Sequence, residues 1–197
     1  MSEIALPAGF CPKAFALWQI TNQRVFGSPY GGSEQVADFG NDRWGVSLTL
    51  PNRKFADAAR VEAFIAALRG MTNTVRLYHL VRKVPRGTMR GTPTAQAANA
   101  GTQALILNTV AGATLEPGDM IGVAGLLLQV ASPAVANGAG AMPVTVVNRL
   151  RVPVPPGSAV TWDRPTALFR QSSQSARVQY IPGYAPEVPF DFVEVVS

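Results

Sequence analysis

The clearest pattern in the chain is the alternation in DRWGVSLTL, residues 42–50. Trp44, Val46, Leu48 and Leu50 fall on one face of an extended strand, with Arg43, Ser47 and Thr49 on the other. Pro51 ends the run. The period then changes. In FADAARVEAFIAALRG, Val61, Phe64, Ile65 and Leu68 recur at the i, i+3, i+4, i+7 spacing of a buried stripe, which predicts a helix over about residues 56–69. Asp57 and Glu62 lie toward its start and Arg69 at its end, as the helix dipole favours, and Gly70 is placed to stop it. Period two returns in TVRLYHLV at 74–81, with Val75, Leu77 and His79 opposite Arg76, Tyr78 and Leu80. Upstream, AFALWQITNQRVF at 14–26 reads as a first strand and SPYGG at 28–32 as a turn.

Periodicity then stops. Residues 84–103 are rich in Gly, Ala, Thr and Pro and read as a linker or long loop. Short β-like runs follow at 104–108, 120–132, 142–150 and 158–163, separated by the turn signals EPGD, NGAGA and PVPPG. That spacing predicts a small all-β barrel or sandwich. QSSQS at 171–175 reads as a polar hinge, after which ARVQYIPGY and PEVPFDFVEVV resume strand character. Val188, Phe190, Phe192 and Glu194 share one face of the last strand, and Pro186 and Pro189 mark it as an edge strand. The expected fold is mainly β (α+β). A discontinuous β-sandwich module with one packed helix spans 1–83 and 173–197, and a small β domain is inserted at 84–172.

Composition narrows the chemistry. At 197 residues and 47% hydrophobic, the chain carries enough apolar material for a core. No run reaches the roughly 20 apolar residues of a membrane span, and the N-terminus lacks the basic-then-apolar order of a signal peptide. The expectation is a protein made and folded in a reducing cytoplasm, with no membrane contact. A single cysteine, Cys11, excludes an internal disulfide, and a single histidine, His79, excludes the usual two- or three-histidine zinc site. His79 sits in a strand-like run, as a core or interface histidine does.

GxSxG and HExxH are absent, and GTMRGT lacks the Lys-Ser/Thr of a phosphate loop. Glu116 and Asp119 flank a β-turn signature, and Asp191 and Glu194 point to opposite faces of a strand. No catalytic residue, metal or cofactor is expected, and the chain reads as non-enzymatic.

The net charge is +5 and uneven, with no acidic residue between Glu62 and Glu116. Arg82, Lys83, Arg86 and Arg90 there form either a basic loop for an acidic partner or a solvated, flexible segment. The interleaved aromatics that stack on bases are missing from residues 81–101, which argues against nucleic-acid recognition. Trp162, with Arg164 and Phe169, reads either as a shallow glycan-binding surface or, for the tryptophan, as filler of a small barrel core.

WGVSLTLP, the helix ending in LRG, and the short strand after it together resemble the distal tail proteins of long-tailed bacteriophages. In pattern they are similar to minor tail protein M of lambda-like phages. PFDFVEVVS resembles the F-x-F-x-x-V-type strand that closes those domains, and RVFGSPYGGSEQVADFG their basic, Gly-rich segment before the first strong strand. The likeness covers about residues 14–81 and 176–197. Some members of that family carry an added barrel of oligosaccharide/oligonucleotide-binding type, which the resemblance implies for the insertion.

It further implies a structural virion protein at the tail tip or baseplate: a homo-oligomeric, hexameric ring joining the tail tube protein to the tail-tip hub and other minor tail proteins. DNA would pass through its lumen without specific binding. Trp44, Val46, Leu48, Val61, Phe64, Ile65, Leu68, Phe190 and Phe192 would build the ring module. The alternative function is a carbohydrate-binding module of the tail tip, acting in host adsorption.

Overall fold

The computed structural model describes residues 1–28, 30–174 and 177–195. Among them the fold is mainly β, with sixteen strands and one helix. In chain order these are β1 Glu3–Ile4, β2 Ala14–Ile20, β3 Gln23–Gly27, β4 Glu34–Asp38, β5 Arg43–Leu50, α1 Phe55–Leu68 and β6 Thr74–Tyr78. There follow β7 Thr94–Ala95, β8 Ala104–Asn108, β9 Thr114–Leu115, β10 Met120–Val123, β11 Leu126–Gln129, β12 Ala134–Val135, β13 Ala141–Thr145, β14 Ser158–Thr161, β15 Thr166–Gln171 and β16 Val188–Glu194. The chain divides into two compact units.

The first unit takes residues 1–18, 44–81 and 166–197. Its sheet runs β1-β6-β15-β16-β5-β2. The register lays the inward positions in rows across the strands: Leu50 opposite Val188, Leu48 opposite Phe190, and Val46 opposite Phe192. Phe169 stands between Val75 and Glu194. All these residues are buried. Against the sheet lies the stripe of α1: Ala58, Val61, Phe64, Ile65 and Leu68. Ala58 and Val61 share with Leu50 and Val188 a gap of only about 10 Å³, so helix and sheet are close-packed.

Several expectations change here. The first strand, read over 14–26, is two strands, because the chain leaves β2 at Thr21 and Asn22. The helix starts and stops one residue earlier than read, and Arg69 takes the left-handed C-cap conformation (φ 49°) ahead of Gly70. Residues 177–187 form no strand beyond two isolated bridges, Ile181–Tyr184 and Ala185–Arg53, since Pro182 and Gly183 turn the chain there (Ala176 lies outside the described residues). Gln171, assigned to a hinge, is the buried last residue of β15, while Ser175 lies outside the described residues.

β16 is not an edge strand. It lies between β15 and β5 in spite of Pro189. The carbonyl of Asp191 accepts from Ser172 N–H at 2.9 Å, and Val195 N–H donates to Leu168 at 2.8 Å. Odd-numbered residues of β16 therefore turn their polar backbone toward β15. Pro189 comes next in that series, beyond the end of β15, where no partner asks for the N–H it lacks.

The second unit takes residues 19–43 and 82–165. The seams expected near 84 and 172 thus lie near 82 and 165, since β15 belongs to the first unit's sheet, and residues 19–43 group with the second unit. One sheet runs β11-β10-β14-β7-β8-β13, with two-stranded sheets β12-β9 and β3-β4 beside it. Its core gathers Leu105, Leu107, Leu115, Ile121, Leu128, Met142, Val144 and Val160. The run 120–132 folds back on itself at Ala124 and Gly125, both at positive φ (48° and 78°), the geometry of a two-residue hairpin turn. Residues 84–103 are not a linker: Met89 and Ala95 are fully buried in this core. Among the described residues, no helix is long and apolar enough to cross a membrane.

Candidate functional site

The acid-free stretch wraps the turn at 116–119. That turn closes by an Asp119 N–H to Glu116 carbonyl bond of 3.0 Å, with Gly118 at φ 86°. The Asp119 carboxylate, 3% exposed, points back inside and accepts the N–H groups of Arg86 (2.8 Å), Gly87 (3.1 Å) and Glu116 (2.8 Å). Arg82 Nη1 donates to the Gly118 carbonyl and Arg86 Nη2 to that of Pro117, each at 2.6 Å. Arg90 Nη1 reaches the carbonyls of Gly87 (2.8 Å) and Met89 (2.6 Å), and Nη2 that of Pro85 (3.1 Å).

The guanidiniums therefore neutralise a cluster of backbone carbonyls in a loop without strands, which answers where its polar groups go. Arg82, Arg86 and Arg90 are exposed, and each also ties its guanidinium to backbone carbonyls of the loop or of the turn at 116–119. Of the four cations, Lys83 alone has no side-chain partner among the described residues.

The expected glycan surface does not assemble. Phe169 is 1% exposed in the core of the first unit, whereas Trp162 and Arg164 belong to the second. Trp162 is half-buried against its unit's core, and its Nε1 donates to the Gly91 carbonyl at 2.9 Å. The Arg90 guanidinium lies 5.1 Å from the centre of its ring, in the cation–π arrangement. Arg164 is exposed, in the left-handed conformation (φ 47°), with its side chain 4.0 Å from that of Asp163.

Trp44, Val46, Leu48, Val61, Phe64, Ile65, Leu68, Phe190 and Phe192 all lie in the core of the first unit. His79 is buried edge-on to Phe15, ring centres 5.0 Å apart, and Cys11 is exposed. Among the described residues, no three His, Cys, Asp or Glu side chains gather as metal ligands.

Sequence reading missed one surface feature altogether. β3 and β4 pair as an antiparallel hairpin, with Val25 opposite Val36 and Phe26 opposite Gln35. Opposite residues share a face and neighbours alternate, so apolar side chains stand on both faces. Val25 (61%), Phe26 (55%) and Val36 (58%) are all exposed. The base of the hairpin is tied down by an Arg149–Asp38 ion pair of 3.2 Å and by an Arg151 bond to the Asp42 carbonyl of 2.8 Å. The available signal was the pair of short segments QRVFG and EQVAD flanking a Gly-rich turn, which the longer reading of 14–26 as one strand concealed.

No protein-family model matches the chain, and no curated protein matches it.

Proposed function

We propose that the chain is a structural ring subunit at the distal end of a long phage tail, joining the tail tube to the tail-tip hub. The hairpin β3–β4 carries this reading. A two-stranded hairpin is marginal in water on its own, and here both faces present exposed valine and phenylalanine. Its two outer edges also lack a partner strand among the described residues. Identical copies related by rotation cover such edges mutually, and a closed ring leaves none over.

In this reading the six-stranded sheet with α1 is the sandwich-type ring module, and the second unit's sheets form an added barrel of the oligosaccharide/oligonucleotide-binding type. The order of motifs in WGVSLTLP, LRG and PFDFVEVVS supports the family. The hexamer, the tube and hub partners, the lumen for DNA and the place in the virion rest on that resemblance.

Sedimentation velocity of the purified protein tests the reading. The double variant Val25→Lys, Val36→Lys places like charges directly opposite one another on the hairpin. It should shift a ring to monomers while the circular dichroism of the core is retained. If the variant keeps the oligomeric state of the parent, the hairpin does not make the contact.

A further inference from the structure

Beside the clamped loop, within the second unit, lies an open surface depression of about 330 Å³ lined by Arg90, Thr92, Pro93, Thr94, Asn108, Thr109 and Val110. Its wall contains no carboxylate. A guanidinium has five N–H donors, and the three bonds from Arg90 to backbone carbonyls leave Nε–H and one Nη2–H uncommitted. The same three bonds and the Trp162 ring fix the group in place, so little side-chain freedom is left to lose when those donors are engaged. The Asn108 Oδ1 accepts from Gln96 at 2.9 Å, which orients the amide, and its NH₂ is available to donate. Thr92 and Thr94 add hydroxyls. Pro93 and exposed Val110 supply the apolar part of the rim.

We infer that this depression is a binding site for an oxyanion, carboxylate or phosphate, carried on a small hydroxyl-rich molecule such as an acidic sugar. Two charge-assisted donors from a pre-fixed arginine suit the oxyanion, and the threonines and the asparagine amide suit neighbouring hydroxyls. The site is distinct from the Trp162, Arg164, Phe169 surface expected from sequence, and it does not depend on ring formation.

Calorimetric titration of the full chain with glucuronate, inorganic phosphate and glucose tests the inference. Glucuronate should bind saturably below about 10 mM, phosphate more weakly, and glucose not at all. Val110→Trp fills the mouth from an exposed position and should abolish binding without unfolding the chain. Asn108→Ala should weaken it about threefold to tenfold. Saturable phosphate binding equal to that of glucuronate would restrict the site to a free anion and overturn the sugar part. The whole inference falls if neither anion saturates, if glucose binds as well as glucuronate, or if Val110→Trp leaves binding unchanged.

Discussion

Asp119→Ala probes the clamp that organises the loop of the second unit. The carboxylate accepts three backbone N–H groups and is almost wholly buried. Removing it leaves the buried Gly87 amide without an acceptor, which costs about 1–3 kcal/mol. The amides of Arg86 and Glu116 are only part-buried, so water replaces the lost acceptor in part, at about 1 kcal/mol each. The sum, about 3–5 kcal/mol, is a large share of the roughly 5–15 kcal/mol that keeps a domain folded.

Asp119→Asn separates charge from geometry. Placing its one oxygen at the Oδ2 position satisfies Gly87 and Glu116 but turns an NH₂ toward the N–H of Arg86, so its loss should be smaller, about 1–3 kcal/mol. Urea unfolding gives the total, and hydrogen exchange at Gly87 and Glu116 gives the site. If Asp119→Ala shifts the urea midpoint no more than an exposed substitution does, and both amides stay as protected as in the parent, the clamp is not what holds the loop.

Phe64→Asp puts an unpaired charge into the α1 stripe and should unfold the first unit, seen as loss of helical circular dichroism; a folded variant would refute the stripe as core. Gly87→Ala should destabilise the second unit by about 2 kcal/mol or more, because a Cβ there overlaps the Thr114 carbonyl oxygen and comes within 2.7 Å of Leu115 Cα. For Gly45→Ala the three atoms nearest the new Cβ all belong to the ring of half-exposed Trp18, so it should instead change tryptophan fluorescence at small cost in urea midpoint.

The Glu3 carboxyl is held below its ordinary value of 4.5 by its hydrogen bonds and charge pairing with Arg76. A carboxyl depressed in the folded state contributes stability above its unfolded pKa and loses it as pH falls through the folded one. Arg76→Ala should therefore raise the Glu3 titration, followed by carboxyl NMR shifts, toward 4.5 and remove that part of the acid dependence.

How much of this was legible depended on whether the residues signal through period. Trp44–Leu50, the α1 stripe and Val188–Glu194 alternate or recur cleanly because one face is buried, and each element is where the pattern puts it. β15 was readable in the same way, with Ala167, Phe169 and Gln171 inward, but the inward glutamine made its end resemble a polar hinge. The loop 84–103 gave no period because hydrogen bonds hold it: arginines on carbonyls, and a carboxylate on amides. No hydropathy pattern records such contacts. Pro189 misled because the rule against proline in a central strand concerns the direction of one N–H, which depends on where the neighbouring strand stops. The hairpin was hidden for a related reason. Its apolar residues Val25 and Phe26 are neighbours on opposite faces, so they give no one-sided period, and they are exposed in the isolated chain.

That exposure makes oligomeric state the most direct test of the proposed function. Native mass spectrometry of the purified protein, alone and mixed with the tail tube and hub proteins that the proposed function calls for, measures closure and subunit number together. The account predicts one closed homo-oligomer, six subunits by resemblance, which Val25→Lys, Val36→Lys disperses to monomers. A strictly monomeric parent at high concentration, with no complex on adding either partner, would contradict it.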